Sequence, residues 1–276
     1  MAGWTYLERD GVRLACLDVG GNGPPALLLH GLAGHAGEWA ETAGWLTERA
    51  RVVALDARGH GRSERSPSDL SPAAWVADVV FAIEELGLGP VALVGQSLGG
   101  QTALLIAAER PDLSRALIVA DASPAEEAEG AADEVEEALA RWPVPFATRQ
   151  AAVEFFGGPS LAAEMWADGL EQRDGGWWPA FDVEVMSRML RQAAGPFWKQ
   201  WEAIRCPTLV VRAGNGGMSA ADMEAMAARL PQARVVELAG AAHDLHLDRP
   251  AEWREALTEF LDGLPDEPPI DHVMDG

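Results

Sequence analysis

The chain contains few cysteines, few basic residues and no long apolar run, and each shortage excludes a class of protein. Its 276 residues include Cys16 and Cys206, whose spacing matches neither a metal site nor a redox motif. A disulfide-stapled miniprotein is therefore excluded, and we expect both thiols to be buried in a reducing compartment. No apolar run approaches the roughly 18 residues of a membrane span. The first residues lack the pattern of a secretion signal, so we expect a cytoplasmic protein.

Positive charge is scarce along the whole chain. Lysine and arginine together number 21, against 43 aspartates and glutamates, which gives a formal net charge of −22. Such a negative surface repels nucleic-acid phosphates and anionic lipid headgroups, so we predict neither nucleic acid nor a membrane as a partner. With 48% hydrophobic and 23% charged residues, the composition is that of an ordinary globular protein, which we expect to be a monomer or a homodimer.

Short apolar runs separated by segments with helical spacing predict an α/β fold. The runs do not alternate in polarity, so both faces of each must be buried in a parallel sheet covered by helices; they span residues 26–29, 52–55, 91–94, 116–120 and 207–211. An opening pair of strands is joined by Asp10-Gly11, a strong hairpin signal. With a last strand at 234–238, these runs predict a doubly wound, mostly parallel, eight-stranded sheet.

The alternation of strands and helices is interrupted in the second half of the chain. We predict a helical cap at residues 124–203, inserted into a core domain that consists of residues 1–123 and 204–264. Residues 265–276 are rich in proline and aspartate, and we predict a flexible acidic tail there.

A Gly-x-Ser-x-Gly motif, Gly95-Gln-Ser97-Leu-Gly99, lies between a predicted strand and a predicted helix. The chain must turn from strand to helix within one residue, which forces Ser97 into a strained conformation and lifts its hydroxyl above the sheet. Gly95 and Gly99 remove side chains that would collide at this turn. The helix N-terminus favours developing negative charge, so Ser97 is the predicted nucleophile.

A serine hydroxyl needs a neighbouring base, and His243 is the predicted one. It follows the last predicted strand, and loops after parallel strands gather at the edge of the sheet where ligands bind. His243 is therefore expected at the same edge as Ser97. His246 is the nearest competitor, but we interpret it as bracing the turn that precedes Pro250.

His30-Gly31-Leu32 ends an earlier predicted strand at the same edge. Gly31 leaves the backbone free to present N–H groups, so the N–H groups of Leu32 and Leu98 are predicted to form an oxyanion hole. His30 is interpreted as a packing residue. The loop at 56–63 contains no partner at ligand spacing, and we interpret it as structural. The sequence therefore predicts no metal and no cofactor.

These motifs together resemble those of the α/β-hydrolase superfamily, in its soluble bacterial branch with a helical cap. The resemblance covers nearly the whole chain and rests on His30-Gly31 and on residues 56–63, 95–99 and 240–250, in the family's order. It implies the α/β-hydrolase fold and a Ser–His–acid triad. Haloalkane dehalogenases and epoxide hydrolases use a carboxylate nucleophile, so the presence of Ser97 excludes those relatives.

The acid of the triad departs from the family's usual pattern. Most relatives carry it in the loop after the strand that corresponds to 208–211, where this chain has Gly217 in the expected slot. Some members place the acid after the preceding core strand instead, and Asp121 stands there. The resemblance thus implies Asp121 as the acid. Asp222 is the alternative, and we expect it to point away because it lies inside a helix.

Four tryptophans of the predicted cap, Trp142, Trp166, Trp177 and Trp178, are candidates for lining an apolar, aromatic pocket. The alternative is that the cap uses them for its own core. We predict a cofactor-free serine hydrolase acting on an ester, lactone or thioester of a hydrophobic small molecule. Cleavage of a carbon–carbon bond beside a ketone and haloperoxidase-like perhydrolysis stay open, since both use this triad. A non-hydrolytic epimerase, cyclase or binding protein also stays open.

Overall fold

A computed structural model describes residues 2–126, 130–193 and 195–265. Strands β1 to β10 span Gly3–Arg9, Val12–Gly20, Pro25–Leu29, Arg51–Asp56, Val91–Gln96, Ser114–Ala120, Leu170–Arg173, Gly176–Pro179, Thr208–Ala213 and Arg234–Leu238. Helices α1 to α11 span Ala40–Leu46, Pro72–Glu85, Leu98–Glu109, Ala131–Ala140, Arg149–Phe155, Leu161–Asp168, Val183–Gln192, Trp198–Ala203, Ala220–Arg229, Leu245–Asp248 and Pro250–Asp262. Within these ranges, no helix combines the length and the apolar character needed to cross a lipid bilayer. The predicted tail lies outside the described residues, apart from Pro265.

The described residues contain one eight-stranded sheet with the order β1-β2-β4-β3-β5-β6-β9-β10. The pairs β1–β2 and β2–β4 are antiparallel, whereas every pair from β4 through β3, β5, β6 and β9 to β10 is parallel. The central strands are buried on both faces, as their continuous apolar character predicts. The mostly parallel sheet predicted from the sequence is confirmed.

Helices cover both faces of the sheet, so the fold is doubly wound. Successive residues of β3 point to opposite faces, and Leu27 and Leu28 accordingly belong to two different hydrophobic clusters. Side chains of α2, α3, α8 and α9 complete the first cluster, and those of α1 and α11 complete the second. Burial on both faces holds the carboxyl ends of the parallel strands at one edge, where the site lies.

The opening hairpin has the predicted two-residue turn. Asp10 and Gly11 both have positive φ angles, 52° and 76°, as a type I′ turn requires. The turn sets the register that pairs Arg9 with Val12.

The segment between β6 and β9 is mostly helical, but its last helix belongs to the core. Trp201 on α8 is fully buried in the cluster beneath the sheet and donates its indole N–H to Met226 O of α9 at 2.9 Å. The predicted boundary at residue 203 therefore falls after a helix that packs with the core. We propose that the cap ends before α8.

The segment between β6 and β9 also contains a strand pair that the sequence did not predict. Strands β7 and β8 form an antiparallel hairpin there. Phe146 and Trp177 exchange two backbone hydrogen bonds, both of 2.9 Å, which extend this pairing.

Candidate active site

Ser97 lies in a sharp turn between β5 and α3. Its φ of 51° and ψ of −121° are unusual for a residue with a side chain, and such strain persists only where the surroundings enforce it. A Cβ added to Gly95 would overlap the backbone of Gly99, and one added to Gly99 would overlap the carbonyl oxygens of Leu29 and His30. The two glycines therefore allow strand and helix to touch behind Ser97.

His243 and Asp121 form a close pair at the same edge of the sheet. His243 Nδ1 lies 2.6 Å from Asp121 Oδ2, and since a carboxylate oxygen accepts, the ring donates its Nδ1–H. Asp121 is 2% exposed, and its carboxylate also accepts the backbone N–H groups of Ala213 at 3.0 Å and Gly217 at 2.7 Å. These bonds fix the orientation of the carboxylate behind the ring.

The loop after β9 approaches the His243 ring without providing an acid. A Cβ added to Gly217 would lie 3.5 Å from His243 Nδ1, so this position is close enough to carry one. The loop contributes the Gly217 N–H to Asp121 instead. Asp222 lines the same cavity, contrary to the expectation that it points away, but its carboxylate accepts the hydroxyl of Ser219 at 2.6 Å in the cap of α9.

Leu32 and Leu98, the predicted oxyanion-hole residues, both line the cavity beside Ser97. Leu98 is the first residue of α3, so its N–H has no acceptor within the helix. Gly31 brings the loop after β3 close to the nucleophile, since a Cβ there would lie 3.2 Å from Ser97 Cβ. The two backbone segments therefore meet next to the Ser97 side chain.

Two buried histidines hold the loop after β3. His60 Nε2 accepts the N–H of Ala33 at 3.0 Å, and His30 Nε2 accepts the N–H of Ala57 at 3.0 Å. Burial lowers the pKa of His60 to about 3, so the ring is neutral and keeps its acceptor nitrogen at physiological pH. His30 thus packs and braces the loop, as the sequence analysis expects.

The loop at 56–63 also braces the site. Asp56 accepts the N–H groups of Ala36 at 2.6 Å and Arg62 at 2.8 Å, and the buried Arg58 pairs with Asp78 at 2.6 Å. These contacts tie the loops after β3 and β4 to α2, in agreement with the structural role expected for this segment.

His246 does not reach the cavity. It is 1% exposed and stacks on Trp39, with ring centroids 4.2 Å apart. Its Nε2 lies 3.5 Å from the Glu38 carboxylate. Burial lowers the pKa of His246 to about 4 and raises that of Glu38 to about 7. His243 rather than His246 therefore lies at the edge where Ser97 is found.

A cavity of about 550 Å³ lies in front of Ser97. Residues at the strand ends line one side of it, and Ala131, Val135 and Leu139 of α4 line another. Further lining residues include Gln96, Gln101, Asp121, Ser123, Glu126, Trp166, Leu190, Met218, Asp222, His243 and Asp244. The volume is in the range of small-molecule sites.

Of the four tryptophans proposed to contact substrate, Trp166 lines this cavity and the other three lie elsewhere. Trp142 packs edge-on against Phe156, Trp166 and Phe181 inside the cap. Trp177 packs in the neighbouring cap cluster, and Trp178 lies in a surface cleft beside Arg173. These three rings thus match the alternative use in the cap's own packing better than a direct contact with substrate, because a small helical layer needs bulky rings to fill its interior.

Helix α6 is hydrogen-bonded to the loops on the side of His243. Trp166 Nε1 donates to the carboxylate of Asp244 at 2.9 Å, and Asp244 directly follows His243. One residue earlier, Met165 O lies 2.9 Å from His35 Nε2. Both contacts involve α6, so this helix and the indole of Trp166 are held next to the imidazole loop.

The sequence model of the alpha/beta hydrolase fold family matches residues 24–250, which include every element of the site described above. The chain belongs to the α/β-hydrolase family.

Relatives of this α/β-hydrolase carry several hydrolytic activities. The sn-1-specific diacylglycerol lipase ABHD11 of Mus musculus is 30% identical over 252 residues, which cover 86% of this chain and 81% of the relative. A 2-(acetamidomethylene)succinate hydrolase of Mesorhizobium japonicum is 28% identical, with 88% and 89% covered. The crystal structure of an E-2-(acetamidomethylene)succinate hydrolase superposes with a TM-score of 0.88 at 26% identity, covering 95% of this chain and all of that one. These similarities show that the α/β-hydrolase is an enzyme of the hydrolase class.

Sequence reasoning missed several polar residues of this hydrolase's cavity. Gln101 lies one helical turn after Ser97, a spacing that places both on one face of α3. Gln96 precedes Ser97 and donates to His243 O at 3.2 Å. Asp244 could have been suggested by its position beside His243. In the ranges that the structure describes, no group of three His, Cys, Asp or Glu residues is arranged to hold a metal ion.

Proposed function

We propose that this α/β-hydrolase is a serine hydrolase that cleaves an ester, lactone or thioester of a hydrophobic small molecule through an acyl-enzyme. The observation that carries the proposal is the 2.6 Å contact between His243 Nδ1 and the buried Asp121, at the cavity that Ser97 also lines. A carboxylate behind an imidazole is the arrangement that activates a serine hydroxyl.

In the acylation step, Ser97 Oγ attacks the carbonyl carbon while His243 Nε2 takes the hydroxyl proton. Asp121 keeps the other proton on Nδ1, which leaves Nε2 as the basic nitrogen, and it stabilises the imidazolium that forms. The N–H groups of Leu32 and Leu98 donate to the carbonyl oxygen as it becomes negative. His243 then gives its proton to the departing alcohol or thiol, and the carbon–oxygen or carbon–sulfur bond breaks.

In the deacylation step, water replaces the leaving group. His243 Nε2 takes a proton from the water, whose oxygen attacks the acyl carbon and forms a second tetrahedral intermediate. This intermediate collapses as the bond to Ser97 Oγ breaks, and His243 returns a proton to that oxygen. The products are a carboxylic acid and the unmodified enzyme, so the cycle needs no redox partner.

The relatives support the reaction class but not one substrate. A lipase cleaves an ester, and a thioesterase domain from the curacin biosynthetic pathway superposes with a TM-score of 0.78 at 25% identity. The succinate in the names of other relatives is a dicarboxylate. We do not propose a dicarboxylate substrate for this chain, because the described lining of the cavity contains neither lysine nor arginine to pair with a second carboxylate.

A fluorophosphonate probe tests the proposal directly. We expect stoichiometric labelling of Ser97 in the native protein, located by peptide mass spectrometry, and none in a folded Ser97→Ala variant. Hydrolysis of p-nitrophenyl esters of graded chain length should disappear in the same variant. A folded protein whose Ser97 is not labelled and which cleaves none of the esters would contradict the proposal and favour a non-hydrolytic role.

A further inference from the structure

Among the described residues, the aspartates and glutamates that line the cavity in front of Ser97 have no lysine or arginine beside them in the lining. Glu126, Asp222 and Asp244 reach it from different segments, in addition to the Asp121 paired with His243. Within residues 2–126, 130–193 and 195–265, none of these three carboxylates forms an ion pair with lysine or arginine. A negatively charged ligand group in this cavity would therefore meet uncompensated charge of its own sign.

Each side-chain nitrogen of the lining glutamines and of Trp166 already donates one hydrogen bond to a protein acceptor. Gln96 Nε2 donates to His243 O, and Trp166 Nε1 donates to Asp244. Gln101 Nε2 donates to Ala193 O at 3.2 Å. A carboxylate accepts hydrogen bonds and cannot donate them, so the side-chain donors left for it in the described lining are the second N–H of each glutamine and the serine hydroxyls.

Gln101 adds an unoccupied acceptor. Its side chain is 4% exposed, and its bond to the Ala193 carbonyl requires the amide nitrogen at that end, which leaves Oε1 at the other. In the part of the chain that the structure describes, Oε1 has no hydrogen-bond partner. Oε1 is shielded from solvent, so it adds the negative end of an amide dipole to the acidic lining without itself offering a contact to the ligand.

We propose that this cavity binds uncharged or cationic acyl compounds and rejects those that carry a carboxylate. The inference rests on the proposed hydrolase function and narrows its substrate class. The net charge of −22 also disfavours the binding of anionic compounds, because the electrostatic field of the whole molecule lowers the local concentration of anions.

Three p-nitrophenyl esters of similar size test the charge preference. The 5,5-dimethylhexanoate is neutral, the 4-(trimethylammonio)butyrate is its cationic isostere, and the monoester of glutaric acid is anionic. With like charges about 8 Å apart at an effective dielectric constant of about 20, kcat/KM for the anionic ester should be about 30-fold below that of the neutral one. The cationic ester should match or exceed the neutral one. An anionic ester that is hydrolysed as fast as the neutral ester overturns the proposal.

Two charge-reversal variants show whether the preference against anionic esters comes from the cavity or from the net charge of the whole protein. Glu126 is exposed and lines the cavity, whereas Glu255 is exposed on α11 and does not line it. Glu126→Arg should raise the ratio of anionic to neutral kcat/KM by about tenfold, while Glu255→Arg, with the same change in net charge, should leave it within about twofold. Equal effects of the two variants would contradict an origin in the cavity.

Measuring ligand binding without turnover tests the charge preference independently of the proposed reaction. The p-nitroanilides of the same three acids can be titrated into the Ser97→Ala variant and followed by quenching of tryptophan fluorescence, because Trp166 lines the cavity. Tighter binding of the neutral and cationic anilides supports the charge preference even if no ester is hydrolysed. If the wild type hydrolyses esters but the anionic anilide binds most tightly to Ser97→Ala, the proposed hydrolase function is supported and the charge preference is overturned. Failure of all three anilides to bind also overturns it.

Discussion

At the scale of single residues, the proposed chemistry depends on where one carboxylate is attached. Asp121 follows β6, whereas the family's usual position corresponds to Gly217 in the loop after β9. Both positions lie behind the His243 ring, because Gly217 donates its N–H to the same carboxylate oxygen that contacts Nδ1. A triad acid needs only to reach that nitrogen, so the fold permits either attachment point.

Asp121→Asn should lower kcat by about three to four orders of magnitude, because an amide in this place favours the wrong tautomer of His243. Steady-state hydrolysis of a neutral p-nitrophenyl ester measures the effect. Asp222→Asn is the matched control and should stay within about threefold of the wild type, since Asp222 caps α9. Comparable activity of Asp121→Asn and the wild type would remove Asp121 from the mechanism.

A second test moves the carboxylate to the family's usual slot. The φ of Gly217 lies outside the left-handed region, and a Cβ there would make an ordinary contact of 3.5 Å with His243 Nδ1. Adding Gly217→Asp to Asp121→Ala should therefore recover at least about tenfold of the lost kcat. No recovery in a folded double variant would mean that the bonds from Ala213 and Gly217 to Asp121 are required as well.

Glu38 and His246 form a second buried pair, away from the proposed chemistry. Burial raises the pKa of Glu38 from 4.5 to about 7, and the charge of nearby Asp244 acts in the same direction, whereas His30 and His35 oppose it. The folded protein thus holds a proton on Glu38 that the unfolded chain releases between pH 4.5 and 7. This contribution to the free energy of unfolding is present at low pH and is lost as the pH rises through about 7.

Replacing Glu38 with glutamine should make the relative stability of the variant depend on pH. The free energy of unfolding of Glu38→Gln minus that of the wild type should rise by about 3 kcal/mol between pH 4.5 and 7.5. Urea denaturation across this range gives the difference, and Glu41→Gln at an exposed site of α1 controls for the loss of one carboxylate. A difference that does not change with pH would show that Glu38 is ionised in the folded protein throughout.

At the scale of elements, the site depends on the close contact between β5 and α3. Gly95 and Gly99 are required there by backbone contacts and not by their φ angles, since a Cβ at either would overlap main-chain atoms that cannot move independently. Gly44, in contrast, lies in α1 with no atom within 4 Å of an added Cβ. The chain therefore contains a matched pair of glycines for testing the turn.

Gly99→Ala should lower the free energy of unfolding by about 3 kcal/mol or more, because strand and helix must move apart. Gly44→Ala should raise it by about 0.5–1 kcal/mol, since alanine loses less backbone entropy in a helix. Urea or thermal denaturation measures both changes. Similar values for the two variants would argue against a close contact behind Ser97.

At the scale of the whole molecule, the two cysteines are buried in the same part of the hydrophobic core. Cys16 on β2 and Cys206 before β9 belong to the same hydrophobic cluster, although about two thirds of the chain separates them in sequence. Burial raises the pKa of Cys16 to about 12 and that of Cys206 to about 11, so neither is a thiolate at neutral pH.

Both thiols should react with a disulfide reagent only when the core opens. At pH 8, we expect labelling of the native protein to be at least about 100-fold slower than in denaturing urea, with the same rate for the two cysteines. Mass spectrometry after quenching resolves the two sites. Fast labelling of one cysteine while the other is protected would show that the two ends of the sheet open independently.

Some features of the described structure could be predicted from local sequence patterns, and others could not. Ser97 and the strands around it could be predicted because local patterns encode them: a Gly-x-Ser-x-Gly spacing at a strand end and apolar runs without alternation. The positions of Trp142, Trp177 and Trp178 could not, because a tryptophan in the sequence indicates a buried ring without identifying what covers it. Trp201 shows the same limit, since its helix follows the cap in sequence and packs beneath the sheet.

The sequence by itself determined the family, the doubly wound sheet and the candidate nucleophile, because each depends on contacts between residues that are close along the chain or on the order of its strands. Only the tertiary structure decided which carboxylate meets the His243 ring and which tryptophan reaches the cavity. It also decided that aspartates and glutamates line the cavity in front of Ser97. Those facts depend on side chains brought together from distant segments, and no local pattern encodes their directions.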